Sequence, residues 1–276
     1  MSRDAAVRRP AVAGTFYPGS AGQLRQMVEG MLAQVEASPA PAVAAIAPHA
    51  GLIYSGPCAA HVWKRIDIPE VVVILCPNHT GVADSPGGAS AWGRGAFQTP
   101  LGAVPVAEDF VSSVEERCSL LRHDPIAHLR EHAIEVELPF LQTLAPGVKL
   151  APIVIAWDRW EPSLELATAL AEAAAAVPGT VLFVASSDMT HYESAASAER
   201  KDRLALEAVQ RLDGESLLGV CHREGVTMCG RAPSAIVLET ARQLGATGAQ
   251  VVDYRHSGWV TGDDASVVAY AGVVVN

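Results

Sequence analysis

Short, almost uninterrupted apolar runs alternate with longer segments of helical period, and this alternation constrains the fold more than any other feature of the chain. The runs are Val43 to Ala47, Val71 to Cys76, Leu150 to Ala156, Val181 to Ser186, Gln250 to Tyr254 and Ser266 to Val275. Strands of this kind are buried on both faces, as happens inside a parallel sheet covered by helices. The covering helices are predicted at Ala21 to Ala37, Cys58 to Arg65, Ala107 to Leu121, Glu131 to Leu144, Pro162 to Val177, Ala198 to Leu212 and Ala232 to Leu244. Pro162 just inside one start and Gly245 just past one stop occupy favoured positions. The expected fold class is α/β, a single domain over residues 1–276 with a mainly parallel central sheet flanked by helices. No linker, repeat or low-complexity tract divides it.

Thr80 to Val106 breaks the pattern. It is rich in Gly, Ala, Ser and Pro around Trp92 and Phe97, and it is too long for a simple strand-to-helix turn. It reads as an excursion with room for a hairpin, and is expected to line or cover a functional site.

A formal net charge of −10 without a Lys/Arg run argues against nucleic acid and anionic membrane surfaces as partners. No apolar run is long enough to span a membrane, and the first twenty residues hold no signal-type apolar core. The five cysteines lack any CxxC pair, the usage of a compartment where thiols stay reduced. A cytoplasmic location is expected.

The chemistry-bearing residues follow the strands. Ala47-Pro48-His49-Ala50-Gly51 comes directly after one buried run, Cys76-Pro77-Asn78-His79-Thr80-Gly81 closes the next, and Ser186-Ser187-Asp188-Met189-Thr190-His191 follows a third. Ligands of open α/β sheets sit beyond the carboxyl ends of the strands, so these imidazoles and the acid converge there. Any one of these histidines alone would be a core or capping residue; their joint placement points to a metal. Cys229, in Met228-Cys229-Gly230-Arg231, opens a predicted helix, where the dipole and a neighbouring cation favour a thiolate. Cys58, Cys76, Cys118 and Cys221 read as small buried hydrophobes. His61, His123, His128, His222 and His256 lack the strand-end placement and read as structural. In Glu131-His132-Ala133-Ile134-Glu135, helical spacing puts His132 and Glu135 on one face, either merely solvated or giving His132 a supporting or acid/base role.

Val12-Ala13-Gly14-Thr15-Phe16-Tyr17-Pro18, the His49 motif with Tyr54-Ser55-Gly56, Asn78-His79, Glu131 to Glu135, Ser186-Ser187-Asp188 with His191, and Cys229-Gly230-Arg231 occur in this order along almost the whole chain. Together they resemble the MEMO protein family, including its prokaryotic members associated with a radical-SAM protein. The resemblance implies a fold related to the class III extradiol dioxygenases. It also implies a non-haem metal held by His49, His79 and Cys229, with Asp188 and His191 as further polar residues of the pocket. Asn78-His79 stands where some members have two adjacent histidines.

Two imidazoles and a thiolate leave a tetrahedral metal with an open position, the arrangement of a catalytic rather than a structural centre. Such donors suit iron, copper and zinc, whereas the oxygen-activating Fe(II) triad carries a carboxylate in place of the thiolate. The leading expectation is a metal-dependent redox enzyme using Fe or Cu on a small-molecule or peptide ligand. His191 is then the general acid/base, Asp188 orients it or the substrate, and His132 assists. The alternatives are a non-catalytic peptide- or protein-binding module, and a zinc hydrolase in which His191 or Asp188 is the base.

Overall fold

The computed structural model describes residues 6–84 and 88–276. In chain order the elements are β1 (Val7–Arg8), α1 (Ala21–Ala33), β2 (Ala44–Ala47), α2 (Leu52–Trp63), β3 (Val71–Pro77), β4 (Ala89–Ala91), β5 (Ala96–Thr99), β6 (Gly102–Pro105), α3 (Glu108–Arg117), β7 (Leu121–His123), α4 (Ala133–Leu144), β8 (Lys149–Ile155), α5 (Trp160–Ala176), β9 (Val181–Ser186), β10 (His191–Glu193), α6 (Ala195–Gln210), α7 (Gly214–Glu224), α8 (Arg231–Gln243), β11 (Ala249–His256), α9 (Gly258–Thr261) and β12 (Val267–Val275).

Four of the predicted runs form the parallel heart of the sheet: β2 pairs with β9, β9 with β3, and β3 with β8, all parallel. The flanks are antiparallel, β12 against β2, β10 and β11 on one side and β4 against β8 on the other. The fold is a single-domain α/β arrangement with a mixed sheet, more mixed at its edges than the apolar runs alone imply. Every residue of β2 and β9 is buried, while β11, pairing only with β12, is half-buried along its length. One connected apolar core extends from Tyr17 to Val275 across both faces of the sheet. Among the described residues no helix is long and apolar enough to cross a membrane.

Two helices depart instructively from the sequence reading. Helix α2 starts at Leu52 rather than Cys58 and runs through Gly56 and Pro57. Pro57 can donate no hydrogen bond to the Ile53 carbonyl, but Ile53 is exposed and water can serve that carbonyl. Helix α3 stops at Arg117, and Leu121–His123 turns back as an edge strand against β4.

The Thr80 to Val106 excursion contains the hairpin β5–β6, which joins β1 in a small separate sheet. Residues 85–87 of it lie outside the described residues.

Candidate metal centre

His49, His79 and Cys229 arrive from three elements and meet. His49 leaves the end of β2, His79 leaves the end of β3, and Cys229 lies two residues before α8. One ligand atom from each lies within 4.8 Å of the other two. His49 Nε2 is 3.4 Å from Cys229 Sγ. For bond lengths typical of zinc, a nitrogen and a sulfur on one tetrahedral ion are about 3.6 Å apart. The donor set therefore fits a soft or borderline cation.

Each donor is held from behind. His49 is buried, its backbone N–H donates to Asp188 Oδ1 at 2.8 Å, and its Nδ1 lies 2.9 Å from Ser186 Oγ. The His79 side chain is 29% exposed and places Nδ1 on Glu131 Oε1 at 2.9 Å, leaving Nε2 for the cavity. Cys229 and Asp188 bind reciprocally: the Asp188 N–H donates to Sγ at 3.2 Å, and the Cys229 N–H to the Asp188 carbonyl at 3.3 Å. Gly230 makes this approach feasible, since a Cβ there would lie 2.6 Å from the Ser186 carbonyl oxygen and 2.5 Å from Ser187 Cβ.

A neighbouring set, His79, Glu131 and His132, also has metal-like spacing. The hydrogen bonds assign it a different task. Glu131 Oε1 already takes N–H groups from His132 at 2.8 Å and Ala133 at 3.0 Å besides the His79 ring, and Oε2 takes the His79 backbone N–H at 2.7 Å. Glu131 is a positioning carboxylate, its Oε1 fully engaged by these donors.

The protonation directions suit binding at His49. Burial, followed by the charges of His79, His132 and His191, pushes His49 well below the usual histidine range, so it is a neutral imidazole. Burial opposes protonation of His79, but the hydrogen bond and charge of Glu131 with that of Asp188 raise it overall. Burial, then Asp188, pushes the Cys229 thiol upward. This corrects the expectation of a helix-favoured thiolate: Arg231, the expected cation, is engaged by Asp158 through Nε at 2.6 Å. A cation held here would supply the drive to deprotonate Cys229.

These residues lie on the wall of a cavity of about 610 Å³, where His132, Asp188 and His191 join them. His132 immediately precedes α4 and stacks on His79 at 4.7 Å between ring centroids, 5.4 Å from the His49 ring. His191 begins β10, and its Nδ1 is 3.1 Å from the Thr227 carbonyl. That hydrogen bond, rather than one to Asp188, orients the ring. Asp188 is raised to about 6 by burial, and its Oδ1 serves the backbone of His49 and Ala50. His61, His123, His128, His222 and His256 do not line this cavity. Cys58, Cys76, Cys118 and Cys221 are buried.

The remaining wall corrects the lid expectation. No described residue of Thr80 to Val106 lines the cavity; the wall is completed by Thr15 and Phe16 near one end of the chain and by residues from Ser257 to Tyr270 near the other. The excursion was the natural guess because of its composition, but its strands satisfy their backbone groups against β1, β7 and β8 instead. Phe16, Tyr54, Tyr192 and Tyr270 give the wall an aromatic character that the overall 5% aromatic content does not announce. Tyr192 is 80% exposed and adopts φ 58°, a left-handed conformation uncommon outside glycine, at a break in the β10–β12 register.

Ser186 and Glu137 are site residues whose roles sequence reasoning missed. Burial raises Glu137 to about 8 from 4.5. A carboxyl group raised on folding gives its full stabilisation below its unfolded value and loses it as pH climbs through the folded one. Asp188 acts in the same direction over a lower range. The Glu137 contribution to stability is therefore expected to be lost between about pH 5 and 9, against the opposite contribution of the neutral His49, so the stability difference between wild type and Glu137→Gln should change across that range. Thermal melts of both proteins across this range check it; parallel pH curves would show that Glu137 does not titrate there.

Comparison with known proteins adds kinship to this geometry. A family model described as Memo-like protein matches residues 8–274. A MEMO1 family protein of Methanopyrus kandleri is 36% identical over 97% of this chain and 98% of its own length. One from Aquifex aeolicus is 39% identical over 97% and 98%, and one from Methanothermobacter thermautotrophicus 36% identical over 96% and 99%.

Proposed function

This chain belongs to the Memo-like protein family, and from that premise we propose that it is a metal-dependent redox enzyme whose ion, Fe or Cu, is held by His49, His79 and Cys229. The observation that carries the reading is the convergence of those three donors, within 4.8 Å of one another, on the wall of an aromatic-lined cavity. A bound ion would supply Lewis acidity and one-electron chemistry at an open coordination position.

The chain's own groups divide the remaining work. His191, on the same cavity wall with Nδ1 turned to the Thr227 carbonyl, presents Nε2 for proton transfer to or from a ligand. Asp188 acts by holding the His49 loop and, through its backbone N–H, the Cys229 sulfur. His132, at the stack with His79, restricts the rotation of that ring and supplies a further imidazole. Phe16, Tyr54, Tyr192 and Tyr270 give a small ligand, or a peptide side chain, a largely apolar surround.

The near-tetrahedral N/S spacing favours a second reading, a zinc hydrolase with His191 as base. Elemental analysis of protein purified anaerobically without an affinity tag separates the two. Stoichiometric Fe or Cu with oxygen uptake in the presence of a reductant is the expected result. Stoichiometric zinc without oxygen uptake would overturn it in favour of hydrolysis, and no stoichiometric metal in favour of a binding module.

A further inference from the structure

Helix α4 and the turn just before it carry three fully or nearly buried carboxylates, Glu131, Glu135 and Glu137. The first holds His79 and the second the N-terminal segment. The third has no cation among its hydrogen-bond partners: Glu137 Oε2 accepts from Trp63 Nε1 at 2.9 Å, and Oε1 lies 2.9 Å from Ser186 Oγ. Ser186 Oγ in turn lies 2.9 Å from His49 Nδ1 and 3.2 Å from the Ala133 carbonyl. A buried carboxyl without a cation is costly, which asks what the arrangement supplies.

We infer that Ser186 and Glu137 form a positioning pair that holds His49 in the tautomer with hydrogen on Nδ1, so that the Nε2 lone pair faces Cys229. A serine hydroxyl has one proton and two lone pairs. Here that proton has two oxygen acceptors in reach, Glu137 Oε1 and the Ala133 carbonyl. When the Glu137 carboxyl is ionised it takes the hydroxyl proton. When it is neutral it donates to Ser186 Oγ, and the hydroxyl turns to Ala133. Both arrangements leave a serine lone pair for His49 Nδ1–H. Trp63, donating to the other carboxyl oxygen, fixes the carboxyl plane. The inference rests on the metal-site reading for its purpose, since a free Nε2 is what a cation would need, but not for its geometry.

Long-range ¹H–¹⁵N NMR of the metal-free, full-length protein reads the tautomer directly. His49 is expected to show a protonated Nδ1 and an unprotonated Nε2. Ser186→Ala should mix the tautomers and lower Zn²⁺ and Co²⁺ affinity, measured by chelator competition, by about 10–100-fold. Ser186→Thr should restore both, and Glu137→Gln, whose amide can still donate to Ser186 Oγ, should keep the wild-type tautomer. A wild-type His49 with hydrogen on Nε2 overturns the inference, whether or not any variant folds. So does a Ser186→Ala protein with unchanged tautomer and affinity. The expected tautomer in a protein that binds none of Zn²⁺, Co²⁺, Fe²⁺ or Cu²⁺ would uphold the pair and sink the metal-site reading instead.

Discussion

Replacing Cys229 by serine is expected to lower affinity for Zn²⁺, Cu and Fe by about two to three orders of magnitude, one ligand's share of the binding energy of a typical zinc site. Serine is nearly isosteric, and it can still accept the Asp188 N–H and remain near His49, so the fold should persist. A hydroxyl offers a soft cation little, and any affinity for Mg²⁺ should change far less. Calorimetric titration against chelator-buffered metal reads the difference. Alkylation of Cys229 in the wild type should be slowed by bound metal and recover on chelation. Equal affinity of Cys229→Ser and wild type for all three soft metals would leave the thiol as a nucleophile beside His49, within reach of a base as such chemistry requires.

Glu135→Ala is expected to destabilise the protein by about 3–5 kcal/mol, the usual consequence of stripping the partner from a buried charge. Arg8 and Glu135 are both fully buried and paired. The same carboxylate also accepts the N–H groups of Ala11 at 2.7 Å and Val12 at 3.1 Å and the Tyr17 hydroxyl. Its loss leaves the Arg8 guanidinium with the carbonyls of His128 and Glu131 and the face of Phe97, and no described anion. It also unfastens the loop that sets Phe16 edge-on to His132 at 4.8 Å. Urea unfolding measures the loss. The double variant Arg8→Met/Glu135→Leu should recover a substantial part of it, because apolar replacement of both partners removes the stranded charge. A loss below about 1 kcal/mol in the single variant would mean that water reaches Arg8 and the pair is not sealed.

Much of the site was legible because strand ends and ligand candidates coincide in the sequence. His49, His79, Asp188 and His191 each stand within a few residues of an apolar run, and once β2, β3 and β9 pair in parallel their ends are brought to one edge. Cys229 was legible from its place at a helix start, but its ionisation was not: the dipole and Arg231 are local facts, whereas burial and the Asp158 partner come from elements distant in sequence. The periodicity of α4 similarly marked His132 and Glu135 as sharing a face without revealing whether that face was wet. The first turns of the helix are buried on every side, with His132 partly exposed to the cavity, and Glu135 is tied to the segment before α1. The antiparallel flanks were hidden because an apolar run such as β11 or β12 carries no strand direction, and because β4 and β10 have three residues each, too few for a period to register. The lid expectation fails because composition marks irregular backbone without saying which strands that backbone pairs with.

Strand β12 lies in the interior of the sheet, beside β2, and residues just before and within it line the same cavity as Phe16. During synthesis, a ribosome-bound chain therefore exposes His49 and His79 long before Cys229 exists, and acquires the wall of the pocket later still. Intermediate lengths have imidazoles but no geometry with which to discriminate one cation from another. Any discrimination among cations at these donors consequently waits until β12 has joined the sheet, and an ion met earlier would be held only at the strength of loose histidines.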